Sequence, residues 1–400
     1  MTELLSPAGG WEAMVAAVQN GADAVYMGFG GLNARRSARN FTDEEFRAAV
    51  AYCHLRGVKV YLTLNTLVTD RELPTAAQAL QKASDMGVDA ILIQDWGVWR
   101  LAREIAPDVP LHASTQMSLH TLGGACRAAE LGLERVVLAR ELSRRDIAAI
   151  TRDCPAEIEV FVHGALCMCY SGQCGMSAVI GGRSGNRGAC AQPCRYQYAL
   201  MEEKRPGEYF PVYEENGETY IMNSRDMCMI DHVGELMDAG LDSLKIEGRA
   251  KSAYYAAIVT GAYRHAIDAA WSGMPLDPVW RDEVEHISHR HYSTGFFYGQ
   301  PGQFTEDSRY IRDWQITAKV VSCDQEGRAL LTLNNKFSLG DRLELVGPGV
   351  RPQPLEVTAL WDEDGLPLTQ VRKPQMRFRM QLPQSVPPLS ILRRQADLTP

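Results

Sequence analysis

The sequence predicts an α/β chain: a TIM-type (β/α)8 barrel over residues 1–272, a connector over 273–312 and a small C-terminal antiparallel β-barrel over 313–400. Three observations predict it. Eight short apolar runs recur up to about residue 250, most of them following a glycine that ends a helical stretch. The segments between them carry helical periodicity. Beyond residue 312 the period changes to two, with Gly and Asp turns separating the runs.

The runs, in order, are ELLSPAG at the amino terminus, ADAVYMGF after Gly21, VKVYLTLN after Gly57 and VDAILIQD after Gly87. PLHASTQ at Pro110, ERVVLARE after Gly132, EIEVFVHG at Glu157 and DSLKIEGR after Gly240 complete the set. Between the second and third runs, TDEEFRAAVAYCHLRG opens with Thr42 and Glu45 in capping-box spacing. Short strands alternating with helices pair in parallel through βα units, and eight such units favour a closed barrel over an open doubly wound sheet. GFGGLN (Gly28 to Asn33) lacks the third glycine and the helix start of a dinucleotide loop. The helix SAYYAAIVTGAYRHAIDAAWSG ends the barrel, HISHRHYSTGFFYG lies in the connector, and QITAKVVSCDQEGRALLTLNN and FSLGDRLELVGPG begin the alternating C-terminal part.

Of 400 residues, 46% are hydrophobic and 22% charged, as in an ordinary globular protein. The amino terminus carries no secretory pattern, and no apolar run reaches the roughly 20 residues of a membrane helix, so the expected location is cytoplasmic, with no membrane partner. A net charge of −8 argues against coating nucleic acid with the whole surface, but NARRSARNF, GGRSGNRG and SHRHYS gather basic residues locally. In a reducing compartment a cysteine cluster points to metal or to chemistry before disulfides.

A TIM barrel works at the carboxyl ends of its strands. The residues there are Ser6, Tyr26, Asn65, Gln94, Asp95, His112, Ser114, Thr115, Gln116, Arg140, Glu141, His163, Glu247 and Arg249. His112, His163 and Glu247 are the candidates for proton transfer. Asn33, Arg35, Asn65, Gln116, Arg140 and Arg249 are the candidates for substrate binding, the arginines because a guanidinium fork grips a carboxylate. The plain alternative for Arg249 is a pairing with Glu247 or Glu159 that holds the rim.

The seventh run leads into CMCYSGQC and then GACAQPC, which with Cys228 place Cys167, Cys169, Cys174, Cys190, Cys194 and Cys228 near the same mouth. Cys53, Cys126, Cys154 and Cys323 are expected to be small buried hydrophobes. No Cys-x-x-Cys is present, and spacing alone leaves iron–sulfur, zinc or a cysteine nucleophile with His163 as its base all open.

HGALCxxYSGxC within Glu159 to Cys174, NRGxCxxxCR at Asn186 to Arg195 and SLKIEGRxKSxYYxA at Ser243 to Ala257 resemble peptidase family U-32, the collagenase-like peptidases, and the likeness runs from ELLSPAG to the C-terminal β domain. The resemblance implies an iron–sulfur protein that hydroxylates a base in tRNA or ribosomal RNA, with prephenate or a similar dicarboxylate as hydroxyl donor. It implies a [4Fe-4S] cluster on Cys167, Cys174, Cys190 and Cys228, zinc being the alternative, with Cys169 and Cys194 left over. A peptidase, or an accessory protein of oxygen-independent hydroxylation, is the alternative function. Neither HExxH nor GxSxG occurs in the chain. A monomer or homodimer is expected.

Overall fold

The computed structural model describes residues 2–34, 40–167, 169–195, 225–301 and 310–396, with short pieces at 199–200, 204, 206–207 and 210–211. Eight parallel strands form a closed barrel: β1 (Glu3–Pro7), β2 (Ala24–Met27), β3 (Lys59–Leu64), β4 (Ala90–Ile93), β5 (Leu111–Ala113), β6 (Arg135–Val137), β7 (Glu157–Ala165) and an eighth strand, Ser243–Ile246. Ser243 is in register with Glu3 on one side and Glu159 on the other, which closes the ring and excludes the open sheet. Strands β2 and β4 and the eighth strand are buried at every position, because helices cover the outside and side chains fill the inside. The predicted capping box is present: Thr42 Oγ1 accepts from Glu45 N and Glu45 Oε2 accepts from Thr42 N at the start of helix α2 (Asp43–His54).

One barrel feature was not legible in the sequence. β7 outruns its neighbours and pairs antiparallel with a three-residue strand, Asp226–Cys228, which pairs in turn with Tyr292–Ser293. These pieces are too short to show a period of two. They carry Cys228 to the level of His163, its partner in register.

The C-terminal domain is antiparallel. Its seven-stranded sheet runs, edge to edge, Val350–Glu356, Arg342–Gly347, Ile391–Gln395, Trp314–Cys323, Arg328–Leu333, Arg377–Gln381 and Leu360–Trp361. Leu331, Leu333, Leu345, Phe378 and Leu392 build a core separate from that of the barrel. Fully buried Arg393 fastens the two parts together. Its guanidinium donates to Glu283 Oε2 at 2.8 Å, to Glu344 Oε2 at 2.7 Å and to the Tyr254 hydroxyl at 2.9 Å. Glu283, His286 and Glu344 are also the single group of three potential metal ligands within 4.8 Å of one another among the described residues, but Arg393 occupies the space between the carboxylates.

Candidate active site at the barrel mouth

Inside the barrel a charged network forms the floor of the site. Arg135, from β6, is paired with Glu3 of β1, with Glu157 and, at 3.2 Å, with Glu159 of β7. Lys245 of the eighth strand donates to Glu159 at 2.7 Å and lies 4.7 Å from the centre of the Tyr26 ring. Burial pushes the Lys245 pKa down, opposed by Glu159. For Glu3, burial works upward but the bond and charge from Arg135 prevail and hold its carboxyl below the usual range. This network was not legible in the sequence. Its one signal was a lysine and a glutamate standing within otherwise apolar runs, in SLKIEGR and EIEVFVHG.

Above the floor, at the carboxyl ends of the strands, lies a narrow cavity of about 50 Å³, lined by Tyr26, Ala34, Thr63, Asn65, Leu92, Ser114, Thr115, Gln116, Arg140, Phe161, Lys245, Glu247 and Arg249. That volume takes a carboxylate or a few waters, the end of a ligand and not its whole body. Most of the expected binding residues meet here. Asn65 accepts from Ala34 N at 3.1 Å and donates to Ser114 Oγ at 3.0 Å. Arg249 is buried and donates to Thr63 Oγ1 and to Asn33 Oδ1, so Asn33 acts on the cavity through the arginine. Arg140 lies over Phe161, 3.8 Å from the ring centre, donates to Ala165 O at 2.7 Å and pairs with Glu247 at 3.5 Å. Glu159, offered above as a rim partner for Arg249, is engaged by Lys245 and Arg135. Gln94 Oε1, Gln116 Oε1 and Arg140 Nε are buried and find no hydrogen-bond partner among the described residues. Gln116 and Arg140 line the cavity, so two of these atoms are ones that a polar ligand there would satisfy. Arg35 lies outside the described residues.

Two strand-end residues serve the scaffold. Asp95 caps the helix Trp96–Ile105, accepting from Gly97 N at 2.7 Å. Glu141 accepts from Ser171 N at 3.0 Å and from Ser171 Oγ at 3.1 Å, which anchors the cysteine segment to the rim.

The histidines depart from expectation. His163 does not line the cavity: its ring is surrounded by Tyr255 and Tyr263 of the helix Ala253–Trp271 and by Tyr292. The register of the eighth strand shifts between Lys245 and Ile246 beside it, and Gly164 follows at φ +106° with no room for a Cβ against Glu247 O. Burial, then the charges of His289 and Lys251, press the His163 pKa down to about 3. His112 lies below the cavity, edge-on to Tyr61 at 4.9 Å, and burial followed by the charges of Arg135, Lys245 and Lys59 pushes its pKa well below 6.5. Both imidazoles are therefore held neutral at neutral pH, a form that can accept a proton but not supply one, and neither lines the cavity. A consequence for stability follows for His112. The unfolded chain binds a proton near pH 6.5 and the folded chain does not, so stability is lost as the pH falls below that value. Denaturant titrations should show about 2 kcal/mol less stability from this group at pH 5 than at pH 7, and His112→Asn should remove that part of the slope. An unchanged slope would show that His112 takes up its proton in the folded state.

Burial, the Cys174 thiol it bonds and the neighbouring Cys194 and Cys167 together raise the Cys169 thiol to about 12. Three other thiols of the loop after β7 thus lie close enough to act on Cys169. Cys190 is exposed and accepts from Gln192 N at 3.3 Å. Cys228 sits by the Tyr263 hydroxyl at 3.9 Å, its thiol raised to about 12 by burial. A single zinc would bring its thiolates to about 3.8 Å from one another. Among the described residues no three thiols meet even within 4.8 Å. The cube of an iron–sulfur cluster holds its thiolates further apart than a single zinc does, and Cys167, Cys174 and Cys190 stand on the one segment that follows β7. Of the remaining cysteines, Cys53 is fully buried as expected, whereas Cys126, Cys154 and Cys323 are only half-buried.

Residues 9–307 match the model of peptidase family U32, and residues 312–393 match that of the family's C-terminal domain. The chain is 34% identical over 400 residues to tRNA hydroxylation protein P1 of Bacillus subtilis, a match covering 98% of this chain and 94% of that one. It is 40% identical over 268 residues to a 23S rRNA 5-hydroxycytidine synthase of Escherichia coli, covering 67% of this chain and 39% of the other. A collagenase of Porphyromonas gingivalis is 36% identical over 313 residues, 74% of each chain.

Proposed function

Because the chain belongs to peptidase family U32, we propose that it is an RNA hydroxylase whose substrate is tRNA, with a dicarboxylate of the prephenate class as hydroxyl donor and a [4Fe-4S] cluster on Cys167, Cys174, Cys190 and Cys228. The observation that carries the choice of substrate is the likeness to a tRNA hydroxylation protein over nearly the whole of both chains, against 39% of the ribosomal RNA enzyme. The cavity supports the rest of the reading: Arg140, Arg249 and Lys245 bring three cations to one narrow polar space, which suits the carboxylate end of a donor. The peptidase reading has less to stand on, since the lining of that cavity contains neither a histidine nor a cysteine among the described residues.

A thiolate-held cluster would supply the one-electron chemistry that side chains lack. The chain's own residues would bind and orient. Arg249 is held at two nitrogens by Thr63 and Asn33, which fixes its guanidinium beside the cavity that it lines. Arg140 is braced by Phe161 and Ala165 O, and Glu247 beside it is the remaining candidate for holding or moving a proton.

The test is nucleoside mass spectrometry of total tRNA from strains with and without the gene. A nucleoside heavier by one oxygen should be present only with the gene; identical profiles would sink the proposal. For the donor, Arg249→Lys should keep fold and iron content but raise the half-saturating prephenate concentration roughly 10- to 150-fold, the range for one lost charge-assisted fork. A lowered melting temperature with unaltered donor dependence would make Arg249 a rim residue.

A further inference from the structure

We propose that Tyr170 is the platform on which a base of the RNA stacks as it enters the barrel mouth; this rests on the RNA reading above and names the residue that receives the base. Tyr170 stands in the cysteine segment with its side chain 63% exposed, an aromatic ring left in water at the edge of the candidate active site. It is not a loose surface residue. Its ring meets that of His120 edge-on at 5.5 Å. The His120 ring lies between two acceptors, Nδ1 at 2.8 Å from Ser118 O and Nε2 at 3.2 Å from Glu141 Oε2, and whichever nitrogen carries the hydrogen donates to its neighbour. The other oxygen of the same carboxylate accepts from the backbone and hydroxyl of Ser171, the next residue along the chain. One glutamate thus pins both the ring's neighbour and the ring's own backbone.

The position of this platform relative to the cavity is equally fixed. Ser171 Oγ accepts from Arg140 N at 3.4 Å. Gly172, at φ +74°, packs so closely that a Cβ would come within 2.0 Å of Gln116 O. Arg140 and Gln116 both line the cavity, and Gln116 Oε1 is one of its unpartnered acceptors. An apolar face held rigid by polar supports, beside the cavity that suits the donor's carboxylate end, is the arrangement that receives an unstacked base: the ring takes the π-face and holds the base at the mouth, next to the donor. Exposed Arg183, further along the same segment, donates from Nε to Ala189 O at 3.1 Å, which orders a guanidinium that could meet a phosphate.

The experiment compares the parent chain with Tyr170→Ala and Tyr170→Phe, using in vitro tRNA transcripts at fixed salt for affinity and transcripts carrying 5-iodouridine for photocrosslinking. Iron content and melting temperature are followed in each variant. The parent should crosslink through the peptide containing Tyr170. Tyr170→Ala should weaken tRNA binding by about 5- to 150-fold and lose the crosslink, whereas Tyr170→Phe should behave as the parent, because the ring and not the hydroxyl stacks. Unchanged binding by Tyr170→Ala, with the parent still hydroxylating tRNA in cells, overturns the platform and leaves the RNA reading standing. A parent that neither binds nor hydroxylates tRNA overturns both. Loss of iron in Tyr170→Ala, or an equal loss of binding in Tyr170→Phe, also overturns it, the first by making the ring a cover for the cysteine segment and the second by making the hydroxyl the active group.

Discussion

Cys174→Ala, purified and reconstituted without oxygen, is expected to retain no stoichiometric iron and to lose the broad visible absorbance of a thiolate-bound iron–sulfur centre. Cys174 belongs both to the set implied by the family motif and to the thiols gathered around Cys169 in the structure, since it bonds to Cys169. Cys167→Ala, Cys190→Ala and Cys228→Ala should share the loss, and Cys169→Ala should keep its iron. The comparison of Cys190 with Cys194 is the sharpest. Cys194 lies within electrostatic reach of Cys169, whereas Cys190 is exposed further along the loop. Full iron in Cys190→Ala together with none in Cys194→Ala would transfer the ligand role to Cys194. A colourless parent protein holding one zinc would remove the cluster altogether.

Arg135→Met should destabilise the chain by about 3–5 kcal/mol, measured by chemical denaturation. The guanidinium is 4% exposed and is shared by Glu3, Glu157 and fully buried Glu159. Removing it leaves carboxylates from β1 and β7 inside the barrel with one cation fewer between them. Lys245 alone then faces Glu159, and the floor of the cavity rearranges. Adding Glu3→Gln to Arg135→Met should recover part of the loss, because it removes a charge that had become uncompensated. A loss below about 1 kcal/mol would show that water reaches the network and screens it.

The barrel could be read from the sequence because its cause is local. Each apolar run after a glycine reports a strand buried on both faces, and the count of eight reports closure. The ring of polar strand ends followed from chain direction alone, and Asn65, Gln116, Arg140, Glu247 and Arg249 do meet around one cavity. His163 was misplaced by the same rule. Strand-end position says where a Cα is, but a register shift beside Ile246 and the antiparallel strand Asp226–Cys228 decide which way its ring faces. Asp95 is at a strand end too, yet it serves the scaffold: a carboxylate just before a helix bonds the helix's own amides before any ligand.

What the sequence determined by itself was the architecture, the family motif and the chemical types present at the mouth, since period, spacing and residue identity are properties of the chain taken in order. What only the tertiary structure decided was pairing and charge state. Arg249 meets Asn33 across 216 positions and Arg135 meets Glu3 across 132, contacts no local pattern encodes. The neutrality of His112 arises from burial beside Arg135 and Lys245, which different strands bring to it. A protonation state depends on the solvent and charges within a few ångströms, and those neighbours exist only once the barrel has closed.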